Sequence, residues 1–188
     1  MISAVFLLGC VQPLRPEIKP ADVFIAQLRA LCGQAFAGRI VTNAPTTPTP
    51  DAFDGKVLIA HVRECTPTQL RIPFHVGDDH SRTWVISVTP TGLRLKHDHR
   101  HAAGSPDILT QHGGDSADAG LANRQEFPVD AESIALFQQQ NSAASVTNIW
   151  AFEIEPGKRL VYELARPGRL FRVEFDLSKP VPLPVPPW

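Results

Sequence analysis

The chain has 188 residues, with 18 Lys and Arg against 19 Asp and Glu and a formal net charge of −1. This length fits a single domain, and 43% hydrophobic with 20% charged residues excludes the depleted composition of a disordered chain. The balanced charge excludes a broad basic footprint, so no nucleic-acid partner is expected, and 12 Gly with 18 Pro leave little room for long helices.

The first residues, Met1 to Gly9, are apolar and run into Leu7-Leu8-Gly9-Cys10. A membrane-spanning helix needs about 20 apolar residues, so this stretch is too short to be one. The four residues resemble the lipobox of bacterial lipoproteins. That resemblance implies a signal segment over 1–9 and a diacylglycerol on the Cys10 thiol, with Cys10 as the new N-terminus. No Lys or Arg precedes the apolar stretch, a departure that a start codon set too far downstream explains. Val11 stands where inner-membrane lipoproteins carry an aspartate. The resemblance therefore implies an outer-membrane lipoprotein facing the periplasm, anchored in the membrane by its lipid; a secreted periplasmic protein is the alternative. Pro13, Pro16 and Pro20 make residues 10–20 a semi-rigid spacer.

A helix is expected over 21–32, where Val23, Phe24, Ile25, Leu28 and Leu31 form a wide apolar face behind Pro20 and before Gly33. Cys32 closes this helix and Cys65 a later strand. In an oxidising periplasm the two can form one bridge, whereas a reducing compartment would keep two free thiols. Period-two segments follow: a weak one over 37–42, then 56–65, 69–76, 82–89 and 93–101, joined by Pro- and Gly-containing turns. Pro73 marks its strand as an edge or a bulge. Residues 102–123 form a long Gly-, Asp- and Ser-rich loop, either mobile or closing His112 and Asp115 over the neighbouring strand end. A weak strand over 124–129 precedes a helix capped by Asp130 and running to Gln140. Three strands over 149–155, 160–165 and 170–177, with Pro-Gly turns, complete a count of about nine.

Many short consecutive strands with two helices imply a mainly β, antiparallel up-and-down barrel, remotely calycin-like, with a β-sandwich as the alternative. Strand count and order carry that likeness. The body is also similar to uncharacterised bacterial envelope proteins, a resemblance that supplies no activity. The globular domain is expected over 21–178, followed by a Pro-rich tail over 179–188 with polyproline II character.

The sharpest chemical feature is Leu93-Arg-Leu-Lys-His97-Asp-His99-Arg-His101. Alternation places Leu93, Leu95, His97, His99 and His101 on one face. If the leucines point inward, a row of imidazoles about 6.6 Å apart lines one end of the barrel. Two such rings can share a zinc, copper or nickel ion. His75 would join the row only if the polar face of its strand is the inner one, while Asp79 and His80 in the next turn are further candidate ligands. His61 shares a face with Val57 and Ile59 and is read as inward with them. Trp84, Trp150, Phe152, Phe171 and Phe175 lie on apolar faces and form the core or line a ligand site. Glu153, Glu155, Glu163 and Glu174 alternate with apolar residues beside Arg159, Arg166 and Arg172, as cross-strand ion pairs on an outer face do.

There is no Gly-x-Ser-x-Gly, no phosphate-binding glycine loop and no His-Glu-x-x-His. The sequence therefore favours binding over catalysis: an envelope lipoprotein that captures a small ligand or a transition metal at a histidine-lined barrel end. A packed structural barrel that meets an envelope protein partner is the second class, and a metal-dependent hydrolase the third.

Overall fold

The computed structural model describes residues 17–46 and 51–188. The signal segment, Cys10 and most of the spacer lie outside the described residues. In chain order the elements are α1 (Pro20–Arg29), β1 (Ala35–Ala44), β2 (Leu58–His61), β3 (Glu64–Cys65), β4 (Gln69–Val76), β5 (Asp79–Thr89), β6 (Gly92–His99), β7 (His112–Asp115), β8 (Arg124–Pro128), α2 (Ala131–Gln139), a 3-10 turn (Ala143–Thr147), β9 (Ile149–Glu155), β10 (Arg159–Arg166) and β11 (Arg169–Val181).

The eleven described strands form one sheet, ordered β7-β6-β5-β4-β2-β1-β11-β10-β9-β8, with β3 alongside β4. Every strand pairing is antiparallel. One continuous sheet that curls until its edges meet is a barrel and not a sandwich. The segment 37–42, weak in the sequence, is the keystone: as β1 it joins β2 to the final strand β11. Two strands exceed the expected nine, because 56–65 divides into β2 and β3, and because β7 lies inside the long loop. Pro73 sits in an interior strand. It pairs with Thr83 of β5, while on its other side it faces the break between β2 and β3, so no ladder bond is lost to its missing N–H.

Edges β7 and β8 meet at a seam closed by α2. Asp130 donates its N–H to the Gly113 carbonyl, and the Ser133 hydroxyl bonds both the N–H and the carbonyl of Gly113. Asp130 also caps α2 by accepting from the Ser133 N–H at 2.8 Å, as its position predicts. The approach is tight enough that a Cβ on Gly114 would collide with the Pro128 carbonyl.

The interior is filled by inward residues of all the long strands, among them Ile72, Phe74, Trp84, Leu95, Phe152, Val173 and Phe175. Helix α1 closes one end. Its Phe24 and Leu28 are fully buried, and it packs against β6, β8 and β9, with its first turn beside Gly92 at the start of β6. Cys32 and Cys65 are bridged, with Cα atoms 6.3 Å apart, and tie the end of α1 to β3. The opposite end, where β6 and β10 finish, stays open.

The outer wall of β9, β10 and β11 carries the expected ion pairs. Glu153, Glu163 and Glu174 meet Arg124, Arg159, Arg172 and Arg39. Strand β11 continues to Val181, so the tail begins three residues later than expected. It then folds back on the barrel: the Trp188 N–H bonds the His80 carbonyl, and the two rings lie 5.9 Å apart. Val181, Pro184 and Pro187 are the half-shielded positions, the period of three of a polyproline II helix. Seven such steps span about 22 Å, matching the roughly 19 Å across the four strand spacings from β11 to β5. Among the described residues no helix is long and apolar enough to cross a membrane.

Candidate functional site

At the open end, alternation along β6 turns Leu93, Leu95 and His97 inward, and His97 is fully enclosed between strand and cavity. Its imidazole sits in a fixed tautomer. Nδ1 lies 3.3 Å from the His112 carbonyl, which only accepts, so Nδ1 carries the proton. Nε2 then accepts from the Tyr162 hydroxyl of β10 at 3.0 Å. The His112 ring stacks on His97, 4.5 Å away and 12° from parallel, and its Nδ1 donates to the Leu109 carbonyl at 2.6 Å. His99 follows one step outward, 5.3 Å from His112.

These imidazoles are neutral near pH 7. Burial, reinforced by the neighbouring His112 and His99, holds His97 well below the usual histidine value. Burial also brings His99 down to about 4, with His112 and Arg82 adding to the effect. His112 is lowered by burial against the opposing bond to Leu109. Burial pushes the Tyr162 phenol upward, so it remains a hydrogen-bond donor.

Together these rings and Trp84, Trp150 and Phe137 border a cavity of about 240 Å³. The aromatic surfaces are ordered by mutual packing: Trp84 stacks between Phe74 at 4.6 Å and Tyr162 at 4.5 Å, and Trp150 lies 5.1 Å from His97. A second cavity of about 290 Å³ adjoins it through the shared residues Phe53, Tyr162, Leu164 and Arg166. Phe53, from the loop before β2, covers the opening, with the Arg82 guanidinium 5.4 Å above its ring.

Three arginines stand at this opening. Arg82 is paired with Asp79, and Arg169 bonds Asp51 at 3.1 Å. Arg166 differs: among the described residues its side chain bonds only the Oδ1 of buried Asn148, at 3.1 Å, and meets no carboxylate. Arg166 shares the inner face of β10 with Leu160, Tyr162 and Leu164, so it does not belong to the outer ion-pair row expected from the sequence.

The structure divides the histidines that the sequence placed together. His97 and His99 line the cavity, and His112 joins them. His101 is outside: β6 ends at His99, Arg100 bridges to Pro106, and the His101 ring faces solvent 3.7 Å from Asp107. His75 and His80 are on the outer wall, with rings 4.8 Å apart near the end of the tail. His75 is outward by plain alternation between the core residues Phe74 and Val76, and a bulge explains His80. Between the pairs Phe74 with Arg82 and Val76 with Asp79, β5 holds one extra residue, which reverses the facing of His80. His61 also faces outward, because Leu58 and Ala60 occupy the inner face of β2. Asp79 accepts from the Ser81 N–H and from Arg82, which hold its carboxyl below the usual value against its burial.

A shared metal ion does not fit this arrangement. Imidazole lone pairs lie in the ring plane, so the stacked rings of His97 and His112 keep theirs in separate, nearly parallel planes that do not converge on one ion, and both His97 nitrogens are already bonded. Among the described residues no three His, Cys, Asp or Glu side chains are grouped to hold a metal ion.

The cavity surface consists of aromatic faces, one buried amide, two guanidinium groups and neutral imidazoles. Comparison of the chain with protein-family models, with curated proteins and with solved structures finds no match, so the chemistry of this end of the barrel is read from its own geometry.

Proposed function

We propose that this domain is a binding protein that captures a small planar molecule in the open end of its barrel. The observation that supports it most is the contrast between the two ends. Helix α1 and a dense apolar core fill one, whereas the other keeps a space of about 240 Å³ walled by aromatic rings and desolvated, neutral imidazoles. Filling such a space with apolar side chains would stabilise the fold, so a retained cavity with polar groups held in fixed orientation favours a ligand over a purely structural role. Its size suits a mono- or bicyclic aromatic compound.

Cys10, lying outside the described residues, is the lipid anchor in this reading, and the domain works at the outer membrane facing the periplasm. The Cys32–Cys65 bridge supports an oxidising compartment. The binding experiment is a thermal-shift screen of the protein against indole, naphthalene and benzene derivatives. Binders are expected to raise the melting temperature, and Ser145→Trp, which places an indole in the cavity, is expected to abolish the shift. Binding that survives the filled cavity would overturn this site.

A further inference from the structure

Resting on that reading of the cavity, we infer that its ligand carries an acidic group, a carboxylate or an equivalent anion, held by Arg166. The larger part of the argument is charge. The side chains around the inner cavity include Arg82 and Arg166 but no Asp or Glu. Arg82 is neutralised by Asp79. Arg166 is half-buried, and its one side-chain bond among the described residues goes to an uncharged amide oxygen.

A guanidinium presents five N–H donors in a flat fork that matches the two oxygens of a carboxylate. Asn148 occupies one side of this fork and is itself 3% exposed, so it fixes the orientation of Arg166 without balancing its charge. Arg166 also borders both adjoining cavities, at the junction where Leu164 and Tyr162 give way to the opening. A ligand whose ring lies against Trp84 and Trp150 then places its substituent toward the guanidinium. The imidazoles of His97, His99 and His112 are neutral and add no competing charge, so the anion is directed to one residue. The ligand class is a small aromatic acid.

Calorimetric titration of the full chain with 2-naphthoate and with its uncharged counterpart 2-naphthamide tests this. The acid is expected to bind more than tenfold tighter than the amide. Arg166→Gln is expected to erase that preference, weakening the acid far more than the amide, and Arg166→Lys to retain part of it. Equal binding of acid and amide by the wild-type protein overturns the anion site but leaves the cavity as a ligand site. A preference that persists in Arg166→Gln overturns the role of Arg166, and failure of both compounds to bind overturns the anion site together with the cavity reading. Should Arg166→Gln not fold, the wild-type comparison and Arg166→Lys still decide the matter.

Discussion

Tyr162 and His97 meet inside the barrel, the phenol hydroxyl of β10 donating to Nε2 of β6 across 3.0 Å. The two strands are not neighbours in the sheet, so this bond ties opposite walls together just below the cavity. Tyr162→Phe leaves a buried imidazole nitrogen without its donor. A loss of about 1–3 kcal/mol is expected in urea unfolding, the penalty for one unsatisfied buried acceptor. The double variant with His97→Phe should lose less than the sum of the two single changes. Additive losses would mean the bond is not coupled.

Acidification should destabilise this fold before its carboxylates titrate. His75 and His99 are held at about 4 in the folded chain, each mainly by burial, against 6.5 for the ordinary side chain. Between these values the unfolded chain binds more protons than the folded one, so stability rises with pH across the window and falls as pH drops from 6.5 toward 4. Each such group contributes up to about 1.4 kcal/mol per pH unit. His97 and His112 act in the same direction. Melting temperatures measured at pH 7, 6, 5 and 4.5 should decline steadily; a flat profile contradicts the neutral, desolvated state of these rings. For His75, both ring nitrogens are buried and lack a partner among the described residues, which makes protonation there especially costly.

The seam between β7 and β8 offers a steric test. Gly114→Ala sets a methyl group against the Pro128 carbonyl and forces the two edges apart. A loss of more than about 3 kcal/mol is expected, or failure to fold, since a backbone clash cannot be relieved by a rotamer change. Ser133→Ala removes the hydroxyl that serves both polar groups of Gly113 and should cost about 1–3 kcal/mol. Hydrogen exchange of the Gly113 amide should accelerate in both variants, and unchanged protection would contradict closure at this seam.

Reduction of Cys32–Cys65 frees a loop of 33 residues' separation. In the chain-entropy account this lowers stability by about 4 kcal/mol. Denaturant midpoints with and without reductant measure it. The α1 amides should lose protection first, because the bridge fastens that helix to the barrel wall; uniform loss across the sheet would contradict this local role.

Alternation alone made most of the barrel legible. Strands with branched and aromatic residues at period two, such as 82–89 and 170–177, fall within the longer β5 and β11 because burial on one face imposes that pattern. Strand β7 was illegible: His112-Gly-Gly-Asp115 has no strand preference, and its conformation is set by pairing with β6 and by the seam. The site was half legible. Periodicity along β6 put His97 and His99 on the face that lines the cavity but carried on to His101, beyond the end of the strand. His80, read as part of a turn, lies instead in β5, and its outward facing follows from a bulge, a one-residue shift in pairing that a single strand's sequence does not reveal. Arg166 could have been found, since Leu160, Tyr162, Leu164 and Arg166 alternate onto one face. Its basic character favoured the outer ion-pair row instead.

The most direct test of the cavity as a ligand site is proton–nitrogen correlation of the histidine side chains during titration with 2-naphthamide. The rings of His97, His99 and His112 should shift together along one binding curve, while His75, His80 and His101 stay in place. Shifts confined to the outer-wall histidines, or an absence of shifts at His97, His99 and His112 while the ligand binds, would contradict capture in the open end of the barrel.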